Sequence, residues 1–407
     1  MKIDPGPAPA SVPGFRFAGV HGGIKKGRRR DVALIVADEA VPAAAVFTKN
    51  RAPAAPVVVA REHVRDGRLR AVLVNSGNAN AATGARGLAT ARWSCTEVAR
   101  RLGAAPADVL PCSTGVIGVV LDRKPLGRGI ADAVAALSEK GFANAARATM
   151  TSDAFPKWAA ESVELPGRDG TQTATVACMA KGAGMIEPDM ATLLVTVLTD
   201  APLGPGAAGR MLREGVAGSF NAITVDGDTS TNDTVVLMAS GRCAVRKIRS
   251  RSSPGYAEVR DAVGRVLSRT ARMCVADGEG ATHVVDIVVR GATSDALAAR
   301  GARAIARSTL MKCALAGADP NWGRVVMALG DAGIAVELER LSIKVAGVSV
   351  VRRGKLPSPA TLARAARAMR ETEYAIDVEI GNGRGRAAVV TSDLTEAYVH
   401  FNSAYTS

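Results

Sequence analysis

The chain has 407 residues, with 52 Lys and Arg against 38 Asp and Glu, a formal net charge of +14. It is longer than one ordinary compact domain, and its 47% hydrophobic content excludes an extended disordered protein. Aromatics make up only 3% and glycines number 42, so any core must be built from Ala, Val and Leu around tight turns.

In chain order, the N-terminal MKIDPGPAPASVPGF has no apolar signal core and no Arg-rich amphipathic helix, and no apolar window is long enough to span a bilayer. The expectation is a cytoplasmic protein with no membrane partner. Short Val/Ile-rich runs predict strands at Val32–Ala37, Ala43–Thr48, Pro56–Ala60 and Ala71–Asn75. A helix is predicted over Ala85–Leu102, stopped by Gly103, and others at Ile130–Glu139, Gly206–Val216, Ala257–Arg269 and Pro359–Thr372. Further strands are expected at Thr173–Cys178, Leu193–Leu198, Asp233–Ala239, Val284–Val289, Ser342–Val345, Ala375–Glu379 and Ala387–Thr391. The mixture predicts an α/β protein of layered sheets covered by helices.

The six cysteines are scattered, with no C-x-x-C pair, and the four histidines show no ligand spacing; no metal site is expected and a reducing compartment is. Much of the basic excess lies in Lys25, Lys26, Arg28, Arg29 and Arg30, and in Arg246, Lys247, Arg249 and Arg251. Neither cluster has the interleaved aromatics of a single-strand platform, so both read as solvated loops rather than as nucleic-acid sites.

P-loop, nucleophile-elbow and dinucleotide signatures are absent. Several segments of small polar residues stand out instead. Lys181-Gly182-Ala183-Gly184-Met185-Ile186-Glu187-Pro188-Asp189-Met190-Ala191-Thr192 is a glycine-rich loop that runs into a strand. A threonine hydroxyl needs a base beside it to act as a nucleophile. Cleavage before Thr192 would supply one, an α-amine with a pKa of about 7.7–8.0 held next to its own Oγ; a plain turn into a strand is the rival reading. Pro111-Cys112-Ser113-Thr114-Gly115-Val116-Ile117-Gly118 offers a hydroxyl and a glycine N–H, the parts of an oxyanion hole, or is only a loop. Asn75-Ser76-Gly77-Asn78-Ala79-Asn80-Ala81 suits left-handed turns in a structural role. Thr224-Val225-Asp226-Gly227-Asp228-Thr229-Ser230-Thr231-Asn232-Asp233 has alternating acids, but a calcium loop starting at Asp226 would put Thr231 where glycine is needed and Leu237 where an acid is needed. Asp277-Gly278-Glu279-Gly280 and Asp319-Pro320-Asn321-Trp322-Gly323-Arg324 read as turns.

Together, from Gly23-Ile24-Lys25-Lys26 and Val46-Phe47-Thr48 through these motifs to Asn402–Ser407, the segments resemble the ornithine acetyltransferase family, the bifunctional glutamate N-acetyltransferases of arginine biosynthesis. The resemblance covers nearly the whole chain in order. It implies a DmpA/ornithine-acetyltransferase-like N-terminal-nucleophile fold and self-cleavage between Ala191 and Thr192. An alpha chain, 1–191, and a beta chain, 192–407, would form one intertwined catalytic unit. Thr192 would take the acetyl group from N2-acetylornithine and pass it to glutamate, with Thr114 and Gly115 holding the oxyanion. Thr151, Lys181, Thr192, Glu279, Asn402 and Ser407 match the substrate-contacting positions. No cofactor and no metal is implied, though acetyl-CoA serves some members as a co-substrate, and two alpha and two beta chains would assemble as a heterotetramer. His283 departs from the lysine common in the family, and Ser152 and Ala154 replace frequent threonines. Use of acetyl-CoA, an amidase or aminopeptidase in which water replaces glutamate, and a basic nucleic-acid-binding module stand as the alternatives.

Overall fold

The structure is a computed structural model that describes residues 3–167, 170–187 and 193–404. Seven strands come first: β1 (Phe15–Val20), β2 (Val32–Phe47), β3 (Arg68–Asn78), β4 (Val109–Val116), β5 (Lys157–Pro166), β6 (Thr171–Lys181) and β7 (Leu194–Thr199). The two-residue β8 (Ile223–Thr224) and then β9 (Thr234–Ala239) follow. With β1 paired to β2, the larger sheet runs β4-β3-β2-β9-β7-β6-β5. β3 and β4 are parallel, as are β7 and β9, while β2 is antiparallel to both β3 and β9.

β2 carries the sheet around a corner. Its first half pairs with β1 and β3, its register with β3 breaks between Val36 and Val41, and its second half pairs with β9. Two halves of the sheet then lie face to face. Ala33 and Ile35 of β2, Val72 and Val74 of β3 and Leu110 of β4 share one core with Met179 of β6, Leu198 of β7 and Met238 of β9.

Side chains alternate across each strand, so the opposite faces bury against helices. Val32, Leu34 and Val36 pack on the helices Gly84–Leu102 and Arg123–Ala135. Val176, Cys178 and Val197 pack on the helices Pro205–Ala217 and Tyr256–Ala276. The latter presents Val259, Ala262, Val263, Val266 and Leu267, an apolar stripe at helical spacing. The result is helix–sheet–sheet–helix layering, the layered α/β class expected from the sequence. Burial on both faces is why these strands read as continuous apolar runs.

A smaller sheet completes the chain: β10 (Val284–Ala292), β11 (Ser342–Val345), β12 (Val348–Val351), β13 (Glu373–Glu379) and β14 (Gly385–Ser392), in the order β12-β11-β13-β10-β14-β8. Its own core includes Ile305 of the helix Asp295–Arg307 and Leu329 of the helix Trp322–Asp331.

One predicted strand is a helix. Pro56–Ala60 lies within Ala55–His63, where Pro56 sits in the first turn, a position that needs no N–H. Three consecutive valines suggested β structure, but the segment buries only one face, through Pro56, Val57, Val59 and Ala60. The predicted helix Ile130–Glu139 runs instead from Arg123 to Ala135, capped by the Asp122 carboxylate on the Lys124 N–H. Gly103 ends the helix Gly84–Leu102 in the left-handed conformation at φ 62°, as its sequence position predicted. No described helix is long and apolar enough to cross a membrane.

Candidate active site

Thr114 and Gly115 stand at the end of β4, in one half of the folded sheet. Lys181 ends β6 and Leu194 begins β7, in the other half, where the two are paired in register. A cavity of about 120 Å³ opens between them. Its lining includes Thr114, Gly115, Thr151, Ser152, Lys181, Gly184, Leu193, Ser230, Asn232, Asp233, Glu279 and Asn402. Of the residues the sequence singled out, six thus meet at one place: Thr114, Gly115, Thr151, Lys181, Glu279 and Asn402. Ala191, Thr192 and Ser407 lie outside the described residues. Leu193, one residue after Thr192, is a wall of the cavity.

The Thr114–Gly115 corner is built to close tolerances. Gly115 has φ +129°, and a Cβ there would fall 2.4 Å from the Gly77 carbonyl carbon, so only glycine fits. The Asn75–Asn80 segment supports this corner from behind. Asn75 accepts from the Ser113 hydroxyl at 2.6 Å and donates to the Asn78 carbonyl at 2.8 Å. Asn232 reaches from the other sheet half to donate to the carbonyls of Ala79 (2.6 Å) and Ser113 (2.8 Å). The asparagines are therefore structural, as their turn-forming character suggested.

Lys181 is buried, and its Nζ lies 3.1 Å from Thr114 Oγ1. An ammonium has donors and no acceptor, so the Thr114 oxygen must accept this bond. Its own hydrogen is then left to donate to another acceptor. A hydroxyl polarised in this way is suited to stabilising negative charge that develops on a reacting oxygen.

Three carboxylates hold the walls. The fully buried Asp153 accepts from the N–H of Gly182 (2.7 Å), the N–H of Thr151 (2.8 Å) and Lys157 Nζ (2.7 Å). Lys157 also donates to Asp277 at 2.6 Å, and Asp277 accepts from the Ala154 N–H at 3.0 Å. Burial alone would raise the Asp153 pKa, but the Lys157 and Lys181 ammoniums outweigh it and hold the carboxyl below its ordinary range. Burial would likewise lower Lys157, and Asp153 and Asp277 push it above the usual lysine value. Removing one member of such a buried pair costs about 3–5 kcal/mol, because the partner is left charged and dry. Asp226 is the third anchor, accepting from the N–H groups of Met185 (2.6 Å) and Ile186 (2.7 Å). Burial raises the Asp226 pKa against the pull of these bonds. Asp226 of the Thr224–Asp233 segment thus fastens the loop that leads towards residue 188.

Glu279 follows the helix Tyr256–Ala276, with its N–H donating to the Ala183 carbonyl at 3.1 Å. Its carboxylate lies directly over Gly184, where an added Cβ would come within 2.5 Å of Oε2. Asn402, on the C-terminal helix Glu396–Ala404, donates to Glu279 Oε2 at 3.1 Å. That helix has no buried residue; the Thr395 hydroxyl, bonded to the Gly280 carbonyl at 2.7 Å, fixes its start. A lysine and hydroxyls on one wall and a carboxylate on the other match a small zwitterionic substrate.

Sequence reading missed Asp153, Lys157 and Asp277 as part of the site. Asp153 lies between Ser152 and Ala154 and Lys157 lies just beyond, but nothing local shows that Lys157 meets Asp277, 120 residues on, or that Asp153 meets the Gly182 N–H. The basic run Lys25–Arg30 is also more than a solvated loop. Arg29 donates to the Thr151 carbonyl at 2.8 Å, and Lys25 reaches the Met150 carbonyl. Of the departures from the family pattern, His283 pairs with Asp393 at 3.1 Å, stacks edge-on against Tyr374 and does not line the cavity, whereas Ser152 does. Among the described residues, no group of His, Cys, Asp and Glu is placed to hold a metal ion.

Comparison with known proteins agrees with the motifs. The chain is 45% identical over 395 residues to the arginine biosynthesis bifunctional protein ArgJ of Geobacter sulfurreducens, covering 97% of this chain and 99% of that one. It is 43% identical over 410 residues to the protein of the same name from Bradyrhizobium diazoefficiens, covering 98% of each. Among solved structures, the arginine biosynthesis bifunctional protein argJ of Bacillus halodurans is 34% identical, with a TM-score of 0.49, over 52% of this chain and 98% of that chain. The ArgJ family model matches residues 16–407, and the chain is a member of the ArgJ family.

Proposed function

We propose that this enzyme transfers an acetyl group from N2-acetylornithine to glutamate through an acetyl ester on Thr192, releasing ornithine and N-acetylglutamate. The observation that carries the reading is the convergence of Thr114, Gly115, Thr151, Lys181, Glu279 and Asn402 on one cavity whose wall begins at Leu193. Family membership gives that convergence its chemistry. Cleavage between Ala191 and Thr192 yields chains 1–191 and 192–407, and the liberated α-amine takes the proton from the Thr192 hydroxyl. Attack on the acetyl carbonyl forms a C–O bond and places negative charge on the carbonyl oxygen, where the Thr114 hydroxyl and Gly115 N–H receive it. Collapse breaks the C–N bond and ornithine leaves with a proton. The glutamate amine then attacks the ester, and Thr192 is restored. One amide is exchanged for another, so the path needs no ATP, metal or resident cofactor.

Glu279 and Asn402 orient the ammonium end of the amino-acid substrate, while Lys181, Thr151 and the C-terminal Ser407 serve its carboxylate end. The processed chains assemble as a heterotetramer of two alpha and two beta chains. The reaction belongs in the cytoplasm.

A second reading adds acetyl-CoA as a donor for glutamate. It is favoured by the bifunctional name shared by relatives at 43–45% identity. Assaying glutamate acetylation separately with N2-acetylornithine and with acetyl-CoA decides it. Transfer from the first alone fixes a single function, and transfer from both fixes two. Release of acetate in the absence of glutamate, at the rate of transfer, would contradict the acetyltransferase reading in favour of hydrolysis.

A further inference from the structure

We propose that Asp153 is a positioning residue of this reaction, acting through the Gly182 N–H and Lys181 to fix the direction of the Thr114 hydroxyl. The inference rests on acetyl transfer through Thr192 as set out above.

The argument begins with what Asp153 touches. One of its oxygens, Oδ1, accepts both the Lys157 ammonium and the Gly182 N–H, each at 2.7 Å. Gly182 is the residue after Lys181, so this bond fixes where β6 ends and where the Lys181 side chain departs. The other oxygen accepts the Thr151 N–H at 2.8 Å and, at 3.4 Å, its hydroxyl. A single buried carboxylate therefore joins the Thr151 wall to the Lys181 wall. Lys181 in turn donates to Thr114 Oγ1 at 3.1 Å. The chain of contacts runs Lys157, Asp153, Gly182–Lys181, Thr114, and it ends at the group that meets the developing oxyanion.

The arrangement does more than pair two charges: it ties two walls of the cavity together. Buried pairs are weak sources of stability compared with apolar packing of the same volume. Asp153 and Lys157 are nevertheless 0% exposed at their side chains, directly beneath the polar cavity. In some proteins buried pairs serve to specify one geometry. Here the geometry specified is that of the oxyanion corner.

The roles of the two carboxylates on Lys157 then differ. Asp153 bonds the Lys181–Gly182 turn, whereas Asp277 bonds the Ala154 N–H and reaches no part of that turn. Replacing Asp153 should disturb Lys181 and Thr114. Replacing Asp277 leaves the Lys157–Asp153 pair neutral and in place.

The test is a double-mutant cycle on the processed enzyme, read as kcat for transfer from N2-acetylornithine to glutamate. Asp153→Asn alone is expected to lower kcat by about 10- to 100-fold, but by no more than about twofold further in a Lys181→Met background, because both changes remove the same orientation of Thr114. Asp277→Asn is expected to cost the same factor with and without Lys181→Met, because Asp277 does not bond the Lys181–Gly182 turn. Equal losses from Asp153→Asn in both backgrounds, or an Asp277→Asn loss that shrinks in the Lys181→Met background as much as that of Asp153→Asn, would overturn the proposal. Should Asp153→Asn fail to fold, the same cycle is run in a Lys157→Met/Asp277→Asn background, where neutralising Asp153 leaves no member of the buried cluster charged without its partner. The same coupling to Lys181 is expected there, and its absence overturns the proposal. Retained transfer by Thr192→Ala would instead remove the reading on which the inference rests. Additive losses in an enzyme that still requires Thr192 would remove only the role of Asp153.

Discussion

Lys181 and Thr114 come from opposite halves of the folded sheet, yet the lysine ammonium lies 3.1 Å from the threonine hydroxyl. This contact closes the end of the sandwich and turns two unrelated strand ends into one polar corner. Because the ammonium can only donate, the Thr114 hydrogen is directed towards whatever acceptor enters the cavity. Thr114→Ala should cost about 10²–10³ in kcat, the usual loss for one oxyanion donor. Lys181→Met should cost a comparable factor. The double variant should be little worse than either single one, since both changes remove the same donation. Steady-state kinetics on the four proteins checks this; a multiplicative loss in kcat would show that Lys181 does not act through Thr114, while its contact with the substrate carboxylate is read separately in KM.

Glu279 rests on Gly184 with no room for a methyl group between them. Gly184→Ala should leave the fold intact, since its Cβ meets a side-chain end rather than backbone. It should push the Glu279 carboxylate out of place and raise KM for the amino-acid substrates about tenfold, a loss of about 1.4 kcal/mol of binding. Thermal melts alongside substrate titrations separate the two effects.

The C-terminal helix Glu396–Ala404 contributes Asn402 to the site but buries none of its residues. Ending the chain before Glu396 should therefore leave the melting temperature nearly unchanged while KM rises tenfold or more (about 1.4 kcal/mol). A collapse in thermal stability would show that the helix holds the core and does not merely cover the cavity.

Burial pushes the thiols of Cys95, Cys112, Cys178 and Cys274 up to about 12. Cys313 is the one exposed cysteine. A thiol reagent at pH 8 should label Cys313 quickly and the other five only on unfolding. The sign of the pH effect follows from linkage. These four groups keep their protons in the fold up to about pH 12 and lose them near pH 9 when unfolded, so the unfolded state binds fewer protons in that window. Their contribution to stability is complete below pH 9 and declines as pH rises from 9 towards 12. Cys178→Ala should lessen the decline in denaturant melts across this range.

Much of the fold could be read from particular residues. The strands β2 and β6 were visible as apolar runs because both their faces are buried there, and Gly103 marked a helix end correctly. Val57–Val59 misled because β-branched residues resemble a strand when their one-sided burial is unknown. The helix Asp295–Arg307 went unnoticed because its buried face is largely Ala298, Gly301, Ala302 and Ala306, a stripe with little hydrophobic contrast. For the site, each turn was legible on its own but read more readily as plain structure; only their order along the chain pointed to chemistry. The Asp153–Lys157–Asp277 triad was not legible, because Asp277 lies 120 positions from Lys157 and the Gly182 N–H that Asp153 binds belongs to a different strand end. The corner in β2 was likewise hidden, since a sixteen-residue strand that serves both sheet halves reads locally as two short ones.

The central claim is that Thr192 carries the acetyl group. Intact-mass analysis of the purified protein, incubated with N2-acetylornithine and no acceptor, tests it most directly. The account predicts two chains, 1–191 and 192–407, with one acetyl group added to the second at Thr192 and discharged when glutamate is supplied. An uncleaved chain that still transfers acetyl, or an acetyl group mapped to any other residue, would contradict it.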